Sequence, residues 1–171
     1  NLNAYLLLAR IYLEQGNYPN AVKVLQELPQ DNLQVVTLLA ETQFYQGKYK
    51  SLQKTLDTLA TREDAKKSVD FQLLLARSLI QHNEFDRANQ ILKTLESGIS
   101  NPATQSTLEV VRSQLYRAQQ NPAQQMAALD KALSIQPGNI EALVEKARVK
   151  LEASDYESAE DLLSQALIAL P

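Results

Sequence analysis

Cysteine and tryptophan are missing from the 171 residues, and histidine occurs once, as His82. Without cysteine there is no disulfide, no thiolate metal site and no cysteine nucleophile. One histidine cannot build a histidine-rich metal centre, and any Ser-His arrangement would depend on it alone. Glycine is scarce at 4 and proline at 6, so no glycine-rich phosphate loop is present. The same scarcity suits long helices with short connections. A formal charge of −3 supplies no basic field for a phosphate backbone, which argues against nucleic acid as a direct partner. Apolar runs such as Tyr5–Ala9 fall far short of the roughly 20 residues that a membrane span needs. Carboxylates such as Glu63, Asp64, Glu157, Glu160 and Asp161 are spread along helix faces, not grouped for acid–base work. These absences lead us to expect no enzyme, no metal and no cofactor.

What is present is a core-forming chain, 44% hydrophobic and 22% charged, that repeats itself. The passage Asp130–Pro137 returns as Ser164–Pro171, with Ala132 to Ala166 and Pro137 to Pro171 each 34 residues apart. A period near 34 marks a helix-turn-helix repeat stacked into an all-α solenoid. Five turns are expected at Gly16, Gly47, Asn83, Gln120 and Ser154, at spacings of 31, 36, 37 and 34. First helices read approximately 2–15, 33–46, 65–82, 103–119 and 140–153. Second helices read approximately 18–28, 49–60, 85–96, 122–135 and 156–169. Asn101-Pro102 and Asn121-Pro122 read as an N-cap followed by proline at the first helical position. Short turns require the two helices of a pair to be antiparallel and in contact.

Small residues recur in register. Ala9, Ala40, Ala76, Ser113 and Ala147 lie on the first helices, and Ala21, Ala88 and Ala159 on the second. They permit close helix crossings, so Ala9→Leu or Ala76→Leu is expected to overpack a crossing by roughly 1–3 kcal/mol. The first and last helices are apolar over much of their circumference, through Leu6, Leu7, Leu8 and Ile11 and through Leu162, Leu163, Leu167 and Ile168. Terminal repeats normally turn a polar face outward. The expectation is that further repeats flank this block, an excised piece of a longer protein, and that copies of the isolated piece pair end to end through Leu167 and Ile168.

On these residues the chain resembles the tetratricopeptide repeat (TPR) family. The pattern is carried by Tyr5, Leu8, Ala9, Tyr12 and Gly16, then Tyr18, Ala21, Leu25 and Leu28, and it recurs at Leu75, Ala76, Phe85, Ala88 and Leu92. It returns at Leu143, Ala147, Tyr156, Ala159, Leu163, Ala166 and Pro171. Leu52 stands where Ala is usual, and Arg112 and Gln125 stand where Leu and Ala are usual. The resemblance implies a right-handed α-α superhelix of five hairpins in one domain, approximately 2–32, 33–64, 65–102, 103–137 and 140–171. It also implies a scaffold that binds a protein or peptide in a concave groove lined by the first helices.

By the family's register the groove positions are Asn3, Leu6, Arg10 and Leu13, then Thr37, Glu41 and Phe44, then Asp70, Leu73, Arg77 and Ile80. They continue with Val110, Gln114 and Arg117, and with Val144, Arg148 and Leu151. Arginines over an apolar floor suit a peptide of mixed acidic and hydrophobic character. Pairing of Arg10, Glu41 and Arg77 with one another is the competing reading. Leu6, Glu41 and Leu73 occupy places that the chaperone-binding members fill with a Lys/Asn clamp, so chaperone tails are not the expected ligand. The Gln-, Leu- and Ala-rich composition is similar to that of bacterial members, many of which serve envelope, pilus or secretion assembly. The rival to groove binding is a structural spacer or oligomerisation block within such an assembly.

Overall fold

The computed structural model describes residues 1–170. They form eleven helices: α1 Leu2–Glu14, α2 Tyr18–Gln26, α3 Leu33–Tyr45, α4 Tyr49–Asp57, α5 Glu63–Lys67, α6 Val69–Gln81, α7 Phe85–Glu96, α8 Pro102–Ala118, α9 Pro122–Ile135, α10 Ile140–Glu152 and α11 Tyr156–Ala169. No strand occurs among the described residues. The helix expected over 65–82 is instead two helices. Ser68 is extended, and its hydroxyl accepts a hydrogen bond from the Phe71 backbone N–H at 3.3 Å, which caps α6 and breaks the run. The other expected helices are found with small shifts at their ends. Pro171, used above to define the repeat, lies outside the described residues.

The turns follow from one backbone device. Gly16 and Gly47 have φ of 69° and 70°, and Asn83, Gln120 and Ser154 have φ of 61°, 57° and 59°. All five positions aligned in sequence are therefore left-handed, the conformation that reverses a chain at a helix C-terminus. At four of the turns the next N–H reaches back to a carbonyl five residues earlier: Asn17 to Tyr12 at 2.8 Å, and Lys48 to Gln43, Asn121 to Tyr116 and Asp155 to Lys150 at 2.9 Å each. The two proline-led helices carry the expected caps, Asn101 accepting from Thr104 N–H and Asn121 from Gln124 N–H, each at 3.2 Å.

The helices gather into two compact units, Asn1–His82 and Asn83–Pro171. In the first unit α1 pairs with α2 and α3 with α4, while α1, α3 and α6 touch in order. Each second helix also lies on the next first helix, α2 on α3 and α4 on α6. The second unit repeats this, with α8 against α9, α10 against α11, α7 on α8, α9 on α10 and α8 touching α10. The register residues sit at these crossings: Ala9, Ala40, Ala76, Ser113, Ala147, Ala21, Ala88 and Ala159 are all buried. So are Leu52 and Gln125 at the two positions that lack alanine. One core cluster joins Ala9, Leu13 and Leu25 to Val35, Leu38 and Leu39, and another joins Ala40, Leu52 and Leu56 to Phe71 and Leu74. Each such leucine contributes about 1.5–3 kcal/mol by leaving water.

Candidate functional site

In the first unit the groove positions fall on α1, α3 and α6, and they divide by burial. Asn3, Arg10 and Asp70 are exposed. Leu6 is half-buried against the Ala9–Leu25 cluster, and Thr37 is half-buried with its hydroxyl donating to the Leu33 carbonyl at 2.7 Å. Leu13, Leu73, Arg77 and Ile80 are buried and belong to the packing, presenting little surface to a ligand. Arg10 reaches Glu41 at 4.0 Å, a long ion pair that links α1 to α3. The Arg77 guanidinium lies over the Phe44 ring, 4.9 Å from its centroid, where the negative face of the ring attracts a cation. Phe44 in turn meets Tyr45 edge-on at 5.5 Å and Tyr49 at 6.0 Å. Of the groove positions on α1, α3 and α6, the structure thus brings Arg10 to Glu41 and Arg77 to Phe44.

In the second unit Val110 is wholly buried, whereas Gln114 is half-buried and donates from Nε2 to Glu141 Oε1 at 3.1 Å, tying α8 to α10. Arg117 is exposed. On α10, Val144 and Leu151 are 44% and 45% exposed. Arg148 stands between them on the same helical face, its guanidinium bonded to Glu145 and 3.7 Å from Glu152.

The sequence reading missed an ionic cluster. Glu109 of α8 is 3% exposed. It meets Lys131 of α9 at 2.8 Å and Arg112 at 3.5 Å, while Arg112 and Lys131 also reach Glu96 of α7 at 3.0 and 3.4 Å. Beside it lies a small cavity walled by Ile99, Leu108 and Ile135. The hydrogen bond from Arg112 holds the Glu96 carboxyl below its ordinary range, and the bond to Glu109 raises Lys131. Elsewhere Lys150 and then the Ser158 hydroxyl lower Asp155. The i,i+3 spacing of Glu109 and Arg112 was the one sequence signal for the cluster, and it is common on solvated helices.

His82 is exposed, with Nδ1 2.8 Å from the Ser78 carbonyl oxygen. Among the described residues no three His, Cys, Asp or Glu side chains are placed to hold a metal ion, and no helix is long and apolar enough to cross a membrane. Among the groove positions, α10 places exposed Val144 and Leu151 beside an arginine.

Residues 3–32 and 110–139 match models of the tetratricopeptide repeat. No curated protein matches the chain. Among solved structures, the chain is similar to TTC0263, a thermophilic TPR protein of Thermus thermophilus, with 19% identity over 100% of this chain and 92% of that one, at a TM-score of 0.76. It is also similar to pilF of Pseudomonas aeruginosa, with 18% identity over 98% of this chain and 75% of that one, at a TM-score of 0.63. MamA AMB-1 matches with 18% identity over 96% of each chain, at a TM-score of 0.56. At these identities the likeness concerns the fold alone.

Proposed function

We propose that this chain, which matches tetratricopeptide repeats in both its units, is a non-enzymatic scaffold whose first-helix faces bind a polypeptide segment. The observation that carries this reading is on α10, where Val144 and Leu151 stay open to solvent on either side of Arg148. Apolar side chains flanking a cation are what a peptide of alternating acidic and hydrophobic residues covers. Arg10 beside Leu6 repeats the combination on α1, with the 4.0 Å contact to Glu41 loose enough to yield to a ligand carboxylate.

The test is binding of an acidic–hydrophobic peptide library to the wild type and to Arg148→Glu, Val144→Asp and Leu151→Asp. These are surface or half-exposed positions, so the fold should survive. Loss of binding by tenfold or more in each variant is expected, and unchanged binding in all three would reject the α10 face. Arg10→Glu asks the same of α1. Arg77→Glu is no test, because Arg77 is buried and its reversal would report on folding.

A further inference from the structure

The five turns share one backbone, so each repeat serves as a control for the others, and the α3–α4 turn is the odd one. Tyr45 closes α3 five residues after Ala40. At the same distance from Ala9, Ala76, Ser113 and Ala147 stand Glu14, Gln81, Ala118 and Glu152. The packing thus asks for nothing large there, yet Tyr45 is 44% exposed and Tyr49, across the turn, 37%. Both rings rest on Phe44, at 5.5 and 6.0 Å, and the Arg77 guanidinium also lies on Phe44. Two exposed tyrosines are therefore held in place before any partner arrives, which keeps the entropy cost of a contact low.

The charges beside them are equally out of pattern. Lys48 is the N-cap of α4, where the other second helices have Asn17, Glu84, Asn121 and Asp155. Lys50 lies in the first turn of α4, where the others have Pro19, Asp86, Ala123 and Glu157. A cation at the start of a helix works against its dipole, so the fold gains nothing from this pair. Lys54 follows Lys50 by one turn on the same face, a like-charge neighbour. From residue 42 to residue 56 there is no Asp or Glu. All three lysines are exposed, and none meets a carboxylate among the described residues. This hairpin lies inside the array, with α1 and α2 before it and α6 after it, and those neighbours leave its tip open.

We propose that the tip of the α3–α4 hairpin is a second docking surface, and that its partner is an acidic polypeptide segment. Carboxylates of the segment meet Lys48, Lys50 and Lys54, and an apolar side chain lies against the rings of Tyr45 and Tyr49. Charge complementarity selects the partner, since three unpaired lysines with no acid among them favour an anionic one. Two half-packed tyrosines are too shallow for a bilayer, whose interfacial anchors bury a whole apolar face. Three cations are few for a phosphate backbone on a chain of net charge −3. The inference rests on the reading of the chain as a polypeptide-binding scaffold, though not on α10.

The experiment is fluorescence anisotropy with the whole chain and a labelled peptide in which a central Phe is flanked by Asp and Gly. Lys48→Glu with Lys50→Glu reverses the charge at exposed positions and suits the helix dipole. Tyr45→Gln imports the counterpart residue of α6, and circular dichroism checks that folding is kept in each variant. Binding should weaken as salt is raised. The double reversal should lose about tenfold in affinity, and Tyr45→Gln about fivefold. No binding by the wild type, unchanged binding in the double reversal, or equal binding of the same peptide with Lys in place of Asp overturns the proposal. So does tighter binding to oligothymidylate, or to vesicles of phosphatidylcholine and phosphatidylserine, than to the peptide. Arg148→Glu separates the two surfaces. A peptide that depends on Arg148 and ignores Lys48 and Lys50 overturns this inference and leaves the α10 reading standing, and the opposite dependence does the reverse.

Discussion

Helices α3 and α8 hold the same place in their two units, each between the second helix of the preceding pair and that of its own, yet they fill these contacts with opposite chemistry. In α3 the two register positions are Val36 and Leu39, both buried. In α8 they are Glu109, equally buried, and Arg112, joined to Lys131 and Glu96. One packing site therefore accepts either an apolar pair or an ionic cluster, provided that the carboxylate brings its own cations. Desolvating a charge costs several kcal/mol, which only good geometry offsets. The lesson is that shape is fixed by the repeat while polarity at this site is open to choice.

The comparison can be broken most severely by placing the acid without its partners. Val36→Glu in α3 should destabilise the first unit by about 3–5 kcal/mol, as an uncompensated buried charge does, and urea unfolding measures it. The converse exchange, Glu109→Val with Arg112→Leu, imports the α3 pair into α8. It should leave stability unchanged or raise it by up to about 4 kcal/mol, because well-packed apolar replacements of buried ion clusters do so. A marked loss would show that the cluster contributes more than its own pairing.

A second contrast between the units lies at the turns. Both left-handed glycines, Gly16 and Gly47, are in the first unit, whereas Asn83, Gln120 and Ser154 hold that conformation in the second. A side chain there costs roughly 1–2 kcal/mol, less for Asn, whose amide can bond locally. In thermal or urea unfolding, Gln120→Gly and Ser154→Gly should each raise the unfolding free energy by about 1 kcal/mol, and Asn83→Gly by less.

The smallest effect is on pH. Glu96 titrates below its ordinary value of 4.5 in the folded state, so its contribution is present above the ordinary carboxylate range and is lost as pH falls through the lowered value. Lys131 titrates above its ordinary 10.5, so its share is lost only as pH rises through the raised value. Glu96 is half exposed, which limits its part to about 1 kcal/mol or less. Amide protection in α8, corrected for the intrinsic pH dependence of exchange, should fall on acidification more than in α3, and equal responses would count against the contrast.

These particulars show where sequence reading stops. The turns and the buried small residues were legible because they keep one spacing, from Ala9 to Gly16 as from Ala147 to Ser154. Ser68 was not, since one serine between Lys67 and Val69 carries no sign of whether it caps a new helix. The candidate site was legible only as a face. Periodicity put Leu73, Arg77, Ile80 and Val110 beside Arg10 and Leu151, but only packing tells that the first four are buried while Arg10 and Leu151 are exposed. The Glu109 cluster escaped because its members are scattered from residue 96 to residue 131.

The turn geometry has a consequence for how such a chain can vary. From each small residue on a first helix to its counterpart on the second is always twelve residues, from Ala9 to Ala21 through to Ala147 to Ala159. A hydrogen-bonded reversal fixes that stretch, so a residue inserted there would swing the second helix off its seat. The links between hairpins obey no such rule, with six residues at Glu27–Asn32 and four at Gln136–Asn139, and Ser97–Asn101 likewise lies outside any helix. A tag, a protease site or a whole inserted domain placed at Gly98 should therefore leave both neighbouring hairpins intact, whereas the same insertion at Gly47 should not.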